Sequence, residues 1–167
     1  MDIDQILTTE KILLGVKATS KSQLLRDLSH YLVPIIARDT GATESASERN
    51  IFEILIERER LGTTGVGNGI AIPHGKMPKL KQLVGIFARL EQPIDFEAID
   101  DQPVDLIFLL MAPEGAGADH LKALAHISRI LRNRSLCEIL RSTNSPAEVL
   151  KIFASPVAGP GSAPPHA

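Results

Sequence analysis

The sequence predicts a single-domain α/β sandwich, with a mixed β-sheet flanked by helices. Three observations carry that prediction. Segments of helical spacing alternate with apolar runs too short for helices, helix-start signatures come in pairs towards both ends, and the strand-like runs gather in the middle. At 167 residues the chain is long enough for one real core, and 44% hydrophobic with 23% charged residues is ordinary globular composition. A net charge of −2 without a dense basic block argues against a nucleic-acid partner. Cys137 is the single cysteine, which excludes an internal disulfide and a cysteine-based zinc site. The start, MDIDQILTTEKILLG, lacks the pattern of a signal peptide, and the longest apolar run, residues 106–113, is too short to span a bilayer. A cytoplasmic protein is expected.

Residues 12–16 form an apolar run that predicts an early strand, and Ser20-x-x-Gln23 is a capping box opening a helix. Leu24, Leu25, Leu28, Tyr31, Leu32, Ile35 and Ile36 share one helical face, and Pro34 is expected to kink that helix or end it early. Residues 41–47 are small and polar, a connection. Ser45-x-x-Glu48 announces a second helix, expected to reach about Leu61 with Gly62 as its stop. Ile51, Ile54 and Leu55 line its inner face, and Arg58 is next on that line. An inward guanidinium needs an anionic partner. The spacing equally fits Arg58 at the edge of the face, paired with Glu57 or another carboxylate.

Residues 83–90 are nearly all apolar and predict a buried strand. Ile94, Phe96 and Ala98 alternate with Asp95 and Glu97, which predicts a strand with one wet face. Asp100-Asp101-Gln102-Pro103 is a turn, residues 104–111 a second buried strand ended by Pro113, and residues 115–117 a flexible loop. Asp119 is the expected N-cap of the next helix, with His120 in its first turn and Leu121, Leu124, Ala125, Ile127 and Leu131 on its apolar face. Ser135-x-x-Glu138 and Ser145-Pro146-x-Glu148 open two short helices that end near Phe153, the second with proline at its first position. The domain is therefore expected over residues 1–154. Residues 155–167 hold four prolines and two glycines with little apolar bulk, and a disordered tail is expected there.

Between the second helix and the first buried strand lies the segment that carries chemistry, residues 61–76, LGTTGVGNGIAIPHGK. Glycine lets a backbone approach a ligand closely, and Pro73 fixes its own φ while pushing Ile72 towards an extended conformation. His74 is therefore expected at the end of a short strand, with Gly75 leaving its ring open to a partner. Gly65-x-Gly67-x-Gly69 is neither the dinucleotide pattern nor a P-loop, and no H-E-x-x-H spacing occurs. No nucleotide, cofactor or metal is expected. A neutral imidazole, with an ordinary pKa of about 6.5, can attack phosphorus directly. Arg58, His120, the amides opening the helix after Asp119 and those of the glycine loop are candidates to hold the phosphoryl oxygens. His30 and His126 sit in ordinary helical sequence, His166 lies in the tail, and none is assigned a role.

GTTGVGNGIAIPHGK resembles the phosphohistidine segment of the type-2 enzyme IIA domains (mannitol/fructose type) of the bacterial phosphotransferase system. Residues 94–113, IDFEAIDDQPVDLIFLLMAP, are similar to the nitrogen-regulatory branch of that family, and the resemblance covers roughly residues 5–153. It implies a mixed sheet flanked by helices. It also implies that His74 carries the phosphoryl group on Nε2, that His120 matches the second active-site histidine, and that Arg58 matches an arginine near the first. The implied donor is a histidine-phosphorylated, HPr-like carrier protein. In the regulatory branch the targets are proteins such as transporters or sensor kinases, bound according to phosphorylation state. The alternative is a sugar-specific (fructose or mannitol) enzyme IIA that passes phosphate to a IIB domain. No IIB or membrane IIC segment is fused to the sequence, and the match to the nitrogen-regulatory branch implies the regulatory role instead.

Overall fold

The computed structural model describes residues 3–40 and 47–154. At its centre β5 (Val84–Ile94) and β6 (Val104–Pro113) pair antiparallel. Ile107, Leu109 and Met111 of β6 enter one apolar cluster, and Leu106, Phe108, Leu110 and Ala112 enter another on the opposite face. Both faces of the strand are covered, so it reads as a continuous apolar run instead of an alternating one. Helices α2 (Lys21–Thr40) and α3 (Glu48–Leu61) bury Leu24, Leu28, Leu32, Ile51 and Leu55 on the first face. The second face is covered by α1 (Ile3–Ile6), α4 (Gly117–Leu131), α5 (Arg134–Ser142) and α6 (Pro146–Ala154). Phe153 of α6 packs its ring on Phe87 and Phe108, with centroids 5.3 and 5.0 Å away.

Among the described residues the sheet has six strands and is mixed, as expected. β1 (Ile12–Val16) runs parallel to β5 at one edge. On the other side of β6, β3 (Ile70–Ala71) pairs parallel with its first part and β4 (His74–Met77) with its last part, while β2 (Gly65–Gly67) adds antiparallel to β3. The glycine segment is thus three short strands. His74 opens β4 and does not end a strand. Pro73, with no N–H to donate, falls between β3 and β4 where the ladder is broken.

Other local expectations are corrected. α2 runs through Pro34 to Thr40. The proline leaves the His30 carbonyl without a helical donor, but both residues are exposed, so water can satisfy it. The loss, about 3 kcal/mol, is outweighed by burying Leu32, Ile35 and Ile36 on the inner side, each worth about 1.5–3 kcal/mol. Ser45 lies outside the described residues; the cap of α3 is Ser47, whose hydroxyl accepts from the Asn50 N–H at 3.1 Å. In residues 94–98 the alternating burial is real, yet the strand ends at Ile94 and Glu97 takes φ 55°. α4 begins at Gly117 behind Ala116, which takes the His120 N–H, so Asp119 sits within the first turn and is not the cap. Its buried face is His120, Ala123, Ile127, Ile130 and Leu131, leaving Ala125 and Leu121 in solvent. The cap of α5 is Asn133, accepting from Leu136, and not Ser135. Ser145 caps α6 at Glu148 as the sequence predicts. The connection at 41–46 and the tail at 155–167 lie outside the described residues.

Candidate functional site

The register of β4 on β6 aims the site. His74 lies opposite Leu110 and Lys76 opposite Ala112, both on the α4 side, while Gly75 lies opposite Met111 on the α3 side. His74 and Lys76 therefore face α4, and bare Gly75 lets α3 approach from behind. Around this edge of the sheet opens a cleft of about 650 Å³, lined on one side by Ile54, Arg58 and Leu61 of α3 and on the other by Gly117, His120 and Leu121 of α4.

Nδ1 of His74 lies 2.8 Å from the carbonyl oxygen of Ile72. A carbonyl only accepts, so Nδ1 carries a proton and Nε2 of the neutral ring bears the lone pair. Partial burial pushes the imidazole pKa below its ordinary value; the Ile72 carbonyl opposes that shift and the Arg58 charge reinforces it. His120 stands edge-on to His74, with centroids 5.6 Å apart and ring planes at 75°. Its pKa is lowered as well, first by burial and then by His74 and Lys76. Burial and the neighbouring cations thus favour the neutral form of both rings. Nε2 of His120 is buried without a hydrogen-bond partner among the described residues. An orphaned polar atom is costly until something fills the cleft to pair with it.

Arg58 donates from Nη1 to the Gly62 carbonyl at 2.8 Å. That bond uses one of five guanidinium N–H groups, leaving others for an anion. The surface-pair reading of Arg58 is not what the structure shows: among the described residues no carboxylate forms an ion pair with it, Glu57 pairs with Arg60, and Arg58 bonds the Gly62 carbonyl instead. The structure thus brings His74, His120 and Arg58 together at one cleft. His30 and His126 are elsewhere, bonded to Glu48 and to the Phe153 carbonyl. Three features of the cleft were missed. Lys76 has a sequence signal, since residues two apart on a strand share a face. Leu61 and Leu121, 86% and 70% exposed, make an apolar rim that periodicity assigned to helix ends and cores. The Ile72 carbonyl has no side-chain signature at all.

Residues 5–155 match the family model described as phosphoenolpyruvate-dependent sugar phosphotransferase system, EIIA 2. The chain belongs to that family. The nitrogen regulatory protein of Bradyrhizobium diazoefficiens is 49% identical over 158 residues, which is 95% of this chain and 98% of that protein. The nitrogen regulatory protein homolog of Haemophilus influenzae is 36% identical over 155 residues, 92% and 91% of the two chains. The crystal structure of nitrogen regulatory protein IIA-Ntr from Neisseria meningitidis shares the fold at a TM-score of 0.83 and 36% identity, over 90% of this chain and 98% of that one. These similarities put the chain in the nitrogen-regulatory branch of the enzyme IIA family, whose members are phosphotransfer carriers exchanging phosphate with HPr-like carriers and other components of the system. No helix among the described residues is long and apolar enough to cross a membrane.

Proposed function

We propose that His74 accepts a phosphoryl group on Nε2 from a histidine-phosphorylated, HPr-like carrier, and that its phosphorylation state decides which target proteins the chain binds. The carrier unit is residues 1–154, acting in the cytoplasm. The hydrogen bond from Nδ1 to the Ile72 carbonyl supports this reading most directly, because it leaves Nε2 as the nucleophile in a cleft with Arg58 and His120.

In the step, the Nε2 lone pair forms a bond to phosphorus as the donor's N–P bond breaks and its electron pair returns to the donor imidazole. The His74 ring gains positive charge, and the Nδ1–H bond to Ile72 strengthens as it does so. Phosphoryl transfer places charge on the equatorial oxygens, so the protein's contribution is positioning and electrostatics. Arg58 offers guanidinium N–H groups to those oxygens, and a protonated Nε2 of His120 offers another. Regulation by target binding is favoured over sugar transport because the nitrogen regulatory proteins of Bradyrhizobium diazoefficiens and Haemophilus influenzae match over more than nine-tenths of both chains.

The test is incubation with the phosphoenolpyruvate-driven donor chain, followed by mass spectrometry for an acid-labile, base-stable phosphate. Wild type is expected to be labelled and His74→Ala to stay unlabelled. An unlabelled wild type, with a donor that labels a control acceptor, would refute the carrier reading.

A further inference from the structure

Glu59 is a carboxylate on α3 that the proposed transfer does not use, and it is only 8% exposed. A carboxylate buried there unpaired would be strongly unfavourable. Its oxygens are taken from two sides. Lys21, the first residue of α2, places Nζ 2.8 Å from Oε1. Thr64 donates its backbone N–H to Oε1 at 3.1 Å and its hydroxyl to Oε2.

Thr64 passes the restraint towards the site. Its carbonyl accepts the Ile72 N–H at 2.9 Å, and the next carbonyl along, that of Ile72, accepts Nδ1–H of His74 at 2.8 Å. The Ile72–Pro73 peptide has no N–H, so no donor of its own holds it in the sheet. Its orientation depends on anchors at either side. One is the Leu110 N–H, which donates to the Pro73 carbonyl at 2.9 Å; the other is Thr64. The first belongs to β6, and the second is held by Glu59.

We propose that Glu59, clamped by Lys21 and acting through Thr64 and Ile72, is a positioning residue that holds His74 in its Nδ1-protonated tautomer with Nε2 free. The inference deepens the reading of His74 as phosphoacceptor and rests on it for its functional consequence. A clamp of merely structural value would change stability and leave the tautomer alone, and the experiment turns on that difference.

Nitrogen-15 NMR of the full chain at neutral pH reports which ring nitrogen of His74 carries the proton. Thr64→Val removes the hydroxyl while keeping shape and backbone N–H, and Glu59→Gln replaces one acceptor oxygen by a donor. In both, the Nε2–H form is expected to grow at the expense of Nδ1–H. The initial rate of phosphoryl acceptance is expected to fall about 10- to 100-fold, by analogy with losing the partner that orients a metal-ligating imidazole and with a misplacement of about 1 Å. Thr64→Ser, which keeps the hydroxyl, is expected to restore both. The proposal is overturned if folded Thr64→Val, with an otherwise unchanged amide spectrum, keeps the wild-type tautomer. That variant decides the matter even where Glu59→Gln does not fold. An unlabelled wild type refutes the phosphoacceptor reading separately, because the tautomer comparison needs no phosphate.

Discussion

Gly75→Ala tests how the approach of α3 to β4 builds the site. A Cβ at Gly75 would lie 2.5 Å from Cγ2 of Ile54, well inside contact distance. That methyl is attached directly to Ile54 Cβ, and a helical isoleucine has one strongly preferred χ1, so it cannot swing aside freely. Overpacking of this kind costs about 1–3 kcal/mol. Ile54 is only half-buried, at the solvent edge of α3, so tilting the helix outwards relieves part of the clash. The expected loss is therefore in the lower half, about 1–2 kcal/mol, or about 2–8 °C in Tm for a chain of this size. The functional cost should exceed the stability cost. Arg58 stands one turn after Ile54 on the same helix face, so moving α3 draws the guanidinium away from His74. A displacement near 1 Å is enough to slow acceptance about 10- to 100-fold. Thermal unfolding and the initial rate of labelling measure the two effects. Ile54→Ala removes the clashing methyl, so the double variant should be more stable than the sum of the singles by at least about 0.5 kcal/mol. An unchanged Tm and rate in Gly75→Ala, or strict additivity in the double variant, would refute this account of the site.

Arg58→Met keeps length and apolar packing but removes the guanidinium; labelling of His74 is expected to slow about 100-fold, the typical loss of one donor to a developing oxyanion, with little change in Tm. Both site histidines have lowered pKa values, so the unfolded chain takes up protons before the folded one. Their contribution to stability is fully present above the ordinary value of about 6.5 and is lost as pH falls from there towards the folded values. Urea midpoints should decline over that window, and His120→Ala should decline less. The same shift keeps Nε2 of His74 unprotonated, so the rate of phosphoryl acceptance should hold level below about pH 6.5, where an ordinary histidine would already be losing activity. Outside the lining of the cleft, Gly69→Ala sets a side chain at φ +82° with its Cβ 2.5 Å from Nη2 of Arg141 and 2.9 Å from Oδ1 of Asp105. It should disrupt the paired bonds between those residues and lower stability by about 1–3 kcal/mol in urea unfolding, without altering labelling.

The sheet and helix core was legible because burial imposes a period. Residues 83–90 and 104–111 are covered on both faces, and no other arrangement explains apolar runs of that length bounded by turns. Helix starts were legible only where the side chain that accepts the N–H stands immediately before the first turn, as at Ser145. Where a second polar residue stood nearby, spacing could not choose: Asn133 caps in place of Ser135, two residues earlier. The face of α4 was misread because His120 is buried in the position where an apolar residue would be expected, which rotates the inward stripe and exposes Leu121. A sequence period counts apolar residues as core and cannot see a buried histidine.

The same blindness explains what was hardest to read in the site itself. Three side chains could be named because the resemblance matched His74, His120 and Arg58, where spacing alone left Arg58 open between an inward and an edge position. The groups that set their state are backbone: the Ile72 carbonyl that orients His74 and the Gly62 carbonyl that holds Arg58. Pro73 links the two kinds of information. It breaks the ladder between β3 and β4, so the Ile72 carbonyl turns towards a side chain instead of a strand, and the following residue is the one placed to use it. On the proposed reading, phosphate on Nε2 then adds about −1.5 to −2 charges in a cleft rimmed by exposed Leu61 and Leu121. A partner that covers that rim with apolar surface must desolvate the dianion, which is unfavourable unless it brings its own cation. A chain whose phosphate sits inside its apolar docking face needs no larger rearrangement to switch partners.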